Sequence, residues 1–196
     1  MKILNKKVIL DDGIFSSTTD YQKILDDIEQ AVYAIEYPVG SGGFYLNGER
    51  KGNGVKPIKD AFIEKLNELG WDDERKVLNP SIRKRKIDST IELSDGRFFG
   101  VEWETGNISS SHRAINRLQK GMLEQDLAGG ILILPSREMY NYLTDRVGNF
   151  KELEPYFELM SHTNINGVLL IIEIEHDGID PSVPSIKKGT DGRALI

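Results

Sequence analysis

Hydrophobic positions recur at two spacings along this chain, and the spacing sets the expected elements. Between residues 20 and 36, Tyr21, Ile24, Leu25, Ile28, Ala31, Val32 and Ile35 return every three or four positions. That places them on one helical face, with Asp20 as the expected N-cap. Glycines at 40, 42, 43, 48, 52 and 54 then give the stretch 38–56 loop or hairpin chemistry. Pro57 suits the first turn of a second helix, which carries Ile58, Ala61, Phe62, Leu66 and Leu69. After Trp71 the pattern becomes extended: 87–93 and 98–105 flank Ser94-Asp95-Gly96-Arg97, a hairpin signal. Ser109-Ser110-Ser111 is the expected cap of a third helix running to about Gln125, and Ile131–Leu134 is a short buried strand stopped by Pro135. Residues 136–146 predict another helix, 151–160 a short one with Pro155 in or near its first turn, and 168–175 the last strand. An irregular arm rich in Gly, Pro, Ser and Lys follows from about 177. Without an internal repeat or linker, this order predicts one α/β domain over 1–196, a mixed central sheet flanked by helices.

Composition narrows the class. The 196 residues are 39% hydrophobic and 29% charged, which excludes disordered and collagenous chains. The absence of cysteine excludes disulfide scaffolds and thiolate-held metals and favours a reducing compartment. No apolar run approaches the ~18 residues of a membrane span, and residues 1–13 lack a secretory pattern. A cytoplasmic protein without a membrane partner is expected. The net charge of −6 argues against a nonspecific nucleic-acid binder but leaves a specific DNA enzyme open. Carboxylates that hold metal count as negative only while empty. Basic residues also cluster, at Arg83–Lys86 and at His112, Arg113, Arg117 and Lys120. The first run serves equally as a solvated turn or a phosphate clamp.

Candidate chemistry concentrates in IDSTIELSDGRFFGVEWETG, residues 87–106. Glu102 and Glu104 are two apart on an expected strand and so point to one face. A turn centred near Asp95 brings Asp88 opposite 102–103. Three carboxylates then converge and repel, and a divalent cation would remove the conflict. Oxygen ligands without cysteine or suitably spaced histidine favour Mg²⁺ over Zn²⁺. On spacing alone, a strand with an acidic solvent face is the readier explanation, since acidic pairs at period two are common, and a paired-carboxylate sugar hydrolase is a further reading.

The segments VEWETGNISSSHRAINRLQKG (101–121) and YLTDRVGNFKELEPYFEL (142–159) resemble the BamHI-type restriction endonucleases, in the same order and at the same separation. NGVKPIK at 53–59 and KKGTDG at 187–192 extend the resemblance, which is nearly continuous from about 53 to 160. It implies a PD-(D/E)XK restriction-endonuclease-like fold and a type II enzyme hydrolysing phosphodiesters in double-stranded DNA. By resemblance Asp88 and Glu102 are the metal-binding carboxylates, Trp103 offers its main-chain carbonyl, and Glu74 is a fourth acidic residue. Glu104 takes the position that most nucleases of this fold fill with lysine, and Ile87 stands where the fold's label has proline. Two Mg²⁺ ions about 4 Å apart would activate water and stabilise the leaving oxygen. Glu104 is then expected to orient and deprotonate that water.

The same resemblance implies DNA contacts. Lys59 matches a lysine near the DNA. Asn107, Ser109, Ser110 and Arg113 open the third helix, where an N-terminus favours phosphate and Asn or Arg can read base edges, although without the resemblance plain capping is the readier reading of the serines. Arg146 can donate twice to guanine while Asp145 accepts from the paired cytosine, and Asp191 is the expected minor-groove contact of the arm. The implied target is GGATCC, cut after its first G to leave 5′ overhangs by a homodimer. Helices matching 111–125 and 151–160 would form the dimer interface, with Leu123, Glu124 and Ser161 departing from the charged residues used there. A cognate methyltransferase would act on the same site without direct contact. The alternative is a non-catalytic dimeric DNA-binding protein of the same fold; intact Asp88, Glu102 and Glu104 speak against it.

Overall fold

The computed structural model describes residues 1–73, 86–144 and 147–188. Its centre is a six-stranded sheet in the order β1 (Lys2–Asp12), β7 (Gly167–Glu175), β6 (Leu127–Pro135), β5 (Phe98–Trp103), β4 (Ser89–Glu92), β3 (Asp72–Asp73). β5, β6 and β7 are parallel, while β1, β4 and β3 run antiparallel to their neighbours. The sheet is therefore mixed, as the sequence predicts. Two further short strands, β2 (Tyr45–Leu46) and β8 (Gly178–Ile179), pair in parallel beside it.

Side-chain alternation on the central strands separates two cores. Phe99, Val101 and Trp103 of β5 and Ile131 and Ile133 of β6 share a core with α1 (Thr19–Tyr33) and α2 (Lys56–Glu68). Phe98, Leu132 and Leu134 share the other with α3 (Ile108–Leu123), α5 (Phe150–Leu153) and α6 (Phe157–Ser161). Gly100 and Gly130 are register partners on this second face. A Cβ at Gly130 would lie 2.7 Å from a Leu118 methyl, and one at Gly100 would lie 3.2 Å from it. The two glycines thus form the groove that seats Leu118 and brings α3 down onto the strand that carries Glu102.

Several elements differ from the sequence expectation, each for a local reason. Thr18, not Asp20, caps α1, accepting from the Tyr21 N–H. The Asp20 carboxylate instead accepts from the Ser94 N–H (3.0 Å) and hydroxyl (2.7 Å), which ties the helix to the hairpin turn. That turn forms as expected, with Gly96 at φ +83° and the Leu93 N–H donating to the Arg97 carbonyl at 2.8 Å. Asn107 caps α3 in place of the serines, its side chain accepting from the Ser110 N–H. The stretch 131–134 is only the centre of the longer β6.

The helix expected at 136–146 is a single turn, α4 (Arg137–Tyr140). Beyond it the Asn141 and Tyr142 carbonyls accept from the Lys51 and Asn53 N–H groups, each at 3.0 Å, and the Thr144 N–H donates to the Asn53 carbonyl at 2.6 Å. Pairing with the 51–53 loop consumes the groups a longer helix would use. Residues 151–160 break into α5, a 3₁₀ turn (Glu154–Tyr156) and α6, with Pro155 at the start of the turn. After β8, Val183 and Ile186 are buried, and the Ile186 N–H donates to Asn53 Oδ1 at 3.2 Å. A Cβ at Gly54 would lie 2.1 Å from the Lys187 carbonyl oxygen, so the chain through 188 lies closely on the body.

Candidate active site

β5 is the strand that makes the site, and its position decides how its carboxylates behave. It lies between β4 and β6, and every residue from Phe98 to Trp103 is buried. Glu102 is only 4% exposed and Glu104 only 6%. A solvated acidic strand face is therefore not what these residues form. Buried carboxylates cost several kcal/mol unless paired or metal-bound, so each of these needs a partner within the site.

Asp88 enters from the neighbouring strand, as the hairpin register requires. Ser89 faces Val101 across the ladder, and just before it Asp88 accepts the Trp103 N–H through Oδ2 at 2.9 Å. The Trp103 indole packs on the other face against Phe62 of α2, ring centroids 4.8 Å apart. The backbone between Glu102 and Glu104 is thus fixed from two sides. The other Asp88 oxygen meets Lys59 Nζ, from α2, at 2.5 Å. Lys59, expected near DNA, stands here against the Asp88 carboxylate itself.

Glu102 points into the second face and meets a cation the sequence reading did not single out for the site. Arg117, on α3, forms an ion pair with its Oε1 and also donates to the Lys86 carbonyl at 3.0 Å. Burial above all, and then the charge of Asp88, push the Glu102 carboxyl up to about 8, against the pull of Arg117 and Lys59. Glu104 is also raised by burial, with the Gly106 N–H working in the opposite direction through its bond to Oε1 and Asp88 adding to the rise. Gly106 is required beside it: a Cβ there would lie 2.6 Å from the Ser110 hydroxyl and 3.2 Å from Glu104 Oε1.

Asp88 therefore acts on both glutamates, which gives the patch its expected electrostatic conflict. Among the described residues, however, no three acidic or imidazole groups already form a closed ligand cluster. Lys59 and Arg117 sit on the carboxylates where cations would go. The donor set is entirely hard oxygen, which suits Mg²⁺ or Ca²⁺ and not a thiolate-seeking metal.

The start of α3 adjoins this patch. Asn107, Ser109 and Arg113 are exposed and Ser110 is half-buried, with the Arg113 guanidinium donating to the Ser110 hydroxyl at 2.6 Å. The Gly148 N–H donates to the Gly106 carbonyl at 2.7 Å, and a Cβ at Gly148 would lie 2.3 Å from the Ser111 hydroxyl. Residues 147–148 thus lie against the opening of α3. Glu74, Arg83 to Arg85, Asp145, Arg146 and Asp191 fall outside the described residues. Arg117 was missed as a site residue because no one-dimensional signal links a helical arginine to a strand carboxylate fifteen positions earlier; only the seating of α3 brings them together.

Among the described residues no helix is long and apolar enough to cross a membrane. Comparison with known proteins adds the family. The family described as "Restriction endonuclease BamHI" matches residues 1–193. The type II restriction enzyme OkrAI of Oceanobacter kriegii is 49% identical over 197 residues, covering 100% of both chains. The type II restriction enzyme BamHI of Bacillus amyloliquefaciens is 33% identical over 199 residues, covering 96% of this chain and 92% of that one. Among solved structures, BglII complexed with a DNA 16-mer superposes with a TM-score of 0.63 at 12% identity, over 96% of this chain and 90% of that one. Free BglII gives 0.52 at 9% identity, over 90% and 81%. These structural likenesses carry the restriction-endonuclease-like fold. With the family matched from end to end, the chain belongs to the BamHI family of type II restriction endonucleases, enzymes that cleave DNA at specific sites.

Proposed function

We propose that this chain cuts double-stranded DNA at GGATCC, after the first G of each strand, leaving 5′ overhangs. It acts in the cytoplasm as a homodimer with two Mg²⁺ ions per active site, and a methyltransferase modifying the same sequence protects the host without touching this chain. The observation that carries the chemistry is the pairing of buried Glu102 on β5 with half-buried Asp88 just before β4, with buried Glu104 two residues on and the exposed opening of α3 beside it. The choice of GGATCC rests on the resemblance of 101–121 and 142–159 to the family motifs.

The residues fit a divalent metal. A carboxyl pushed up to about 8 by burial and by Asp88 is one that a divalent cation would ionise and hold. Asp88, Glu102 and the Trp103 carbonyl would hold it, with Glu74 as a further acidic contributor. A metal held there would supply a water of lowered pKa and would offset charge on the scissile phosphate. The chain's own residues do the rest. Glu104, fixed by the Gly106 N–H, orients the attacking water and accepts its proton; its raised pKa makes it a better base than an ordinary glutamate. Lys59 exchanges Asp88 for a phosphate oxygen as DNA arrives. Asn107, Ser109, Ser110 and Arg113 meet the backbone and base edges, Arg146 and Asp145 read the outer G·C pair, and Asp191 reaches the minor groove.

The test is direct. Purified protein is incubated with plasmid carrying one GGATCC site, with and without Mg²⁺, and the ends are sequenced. The expected result is one metal-dependent double-strand cut with GATC overhangs. Cutting at another sequence refutes the target assignment, and cutting in excess chelator refutes the metal.

A further inference from the structure

We infer that Arg117 is a positioning residue that joins the DNA-contacting helix to Glu102 and, before DNA binds, occupies the carboxylate that a divalent cation needs. This rests on the reading of Asp88 and Glu102 as the metal-holding pair.

Three observations carry it. First, the Arg117 guanidinium makes two bonds from one nitrogen, to Glu102 Oε1 and to the Lys86 carbonyl at 3.0 Å. It therefore fixes the glutamate of β5 relative to the segment that delivers Asp88. Second, its Nε is buried without any partner among the described residues, although a buried guanidinium N–H left unpaired is costly. The side chain is held in place for its charge and for these two contacts rather than because its hydrogen bonds are all satisfied. Third, Ser110, Arg113 and Arg117 stand three and then four residues apart on α3, so they lie along one helix face. The far end of that stripe, at the exposed opening of the helix, is the proposed DNA contact, and the near end is Glu102. A shift of α3 when DNA is bound is transmitted to the carboxylate through a rigid helix and a single side chain.

A fixed cation beside Glu102 repels a divalent ion, and the interaction remains strong at the intermediate dielectric of a partly buried site. An arginine cannot shed its proton to yield. Removing it should therefore tighten metal binding to the DNA-free chain and at the same time slow cleavage, because Glu102 loses its fixed geometry. A side chain that served stability alone would weaken both.

The experiment titrates Ca²⁺ into DNA-free wild type, Arg117→Met and Arg117→Gln by calorimetry, and measures single-turnover cleavage of bound duplex in Mg²⁺. Arg117→Gln keeps a donor to Glu102 and removes only the charge, so it tests the idea even if the methionine variant does not fold. Expected is Ca²⁺ binding at least about tenfold tighter in each folded variant, corresponding to one decade in the equilibrium constant. Cleavage should fall at least about tenfold for Arg117→Met, and less for Arg117→Gln. Unchanged or weaker Ca²⁺ binding in Arg117→Gln overturns the inference, as does wild-type cleavage by Arg117→Met. The site reading fails separately: Glu102→Ala and Asp88→Ala would then both cut normally, whatever the Arg117 variants do.

Discussion

Glu102 carries the sharpest prediction at the scale of a single residue. Its carboxyl is raised from an ordinary 4.5 to about 8 in the folded chain, by burial first and by Asp88 second. Between those values the unfolded chain has released a proton that the folded chain keeps, so the group destabilises the metal-free fold progressively as pH rises. Each pH unit in that window is worth at most about 1.4 kcal/mol. Glu102→Gln removes the penalty and keeps the shape. Its melting temperature should exceed that of wild type by a margin that grows from about pH 5 to about pH 8 and is flat above, in chelator. A margin constant across that range means that Glu102 is not the perturbed group. Substitutions at Asp88 and Glu104 have no such simple outcome, since each side chain accepts a backbone N–H, from Trp103 and Gly106 respectively. Removing either carboxylate relieves repulsion but leaves a donor unpaired.

At the scale of elements, α3 is the proposed link between recognition and chemistry, and Asn107 starts it. The Asn107 side chain accepts from the Ser110 N–H at 3.3 Å, which caps the helix beside Glu104. Asn107→Ala should cost about 1 kcal/mol of stability through the lost cap. If Asn107 also contacts DNA, binding of the GGATCC duplex in Ca²⁺ weakens by more than the stability loss explains. A variant that is less stable yet binds at wild-type affinity would assign Asn107 to capping alone.

The elements also show what was legible. α2 and the hairpin were, because Pro57, a helical spacing and an Asp-Gly turn are local signals that agree with the tertiary structure. β1 was not. It is an edge strand with most of its residues exposed, and Lys2, Lys6 and Lys7 along it read as polar chain, a common way for edges to avoid pairing with other molecules. The single-turn α4 was overestimated because its successor residues pair with 51–53, a contact some ninety positions away. The convergence of the carboxylate trio was legible from its spacing, its role came only from the family resemblance, and its burial came from neither, since burial on both faces belongs to the sheet. Lys59 and Arg117, which hold the trio's charges, come from two helices on opposite sides of that sheet.

At the scale of the whole molecule, the proposed homodimer has a place to form. Leu123 at the end of α3 is 63% exposed and Leu159 of α6 is 73% exposed, with Tyr156 beside His112 between these helices, ring centroids 4.7 Å apart. These are the helices that the family resemblance assigns to the dimer. Replacing Leu123 and Leu159 together by lysine should turn a dimer into a monomer in sedimentation, with little effect on melting, because neither side chain belongs to the core. A double variant that keeps the wild-type mass would place the interface elsewhere. A palindrome cut on both strands needs two active sites, so the monomer should also lose paired cutting and leave nicks.

What governs all of this is the proposed role of Asp88, Glu102 and Glu104, gathered where β4 begins and β5 ends, in the cutting itself. It is tested by single-turnover cleavage of a duplex with one GGATCC site, started by adding Mg²⁺ to complexes assembled without it, for wild type and Glu102→Gln. Both proteins should hold the duplex equally well, and wild type should cut each strand after the first G. The variant should be slower by about a hundredfold or more, the scale on which transition-state electrostatics act. A Glu102→Gln chain that cuts at the wild-type rate would contradict it.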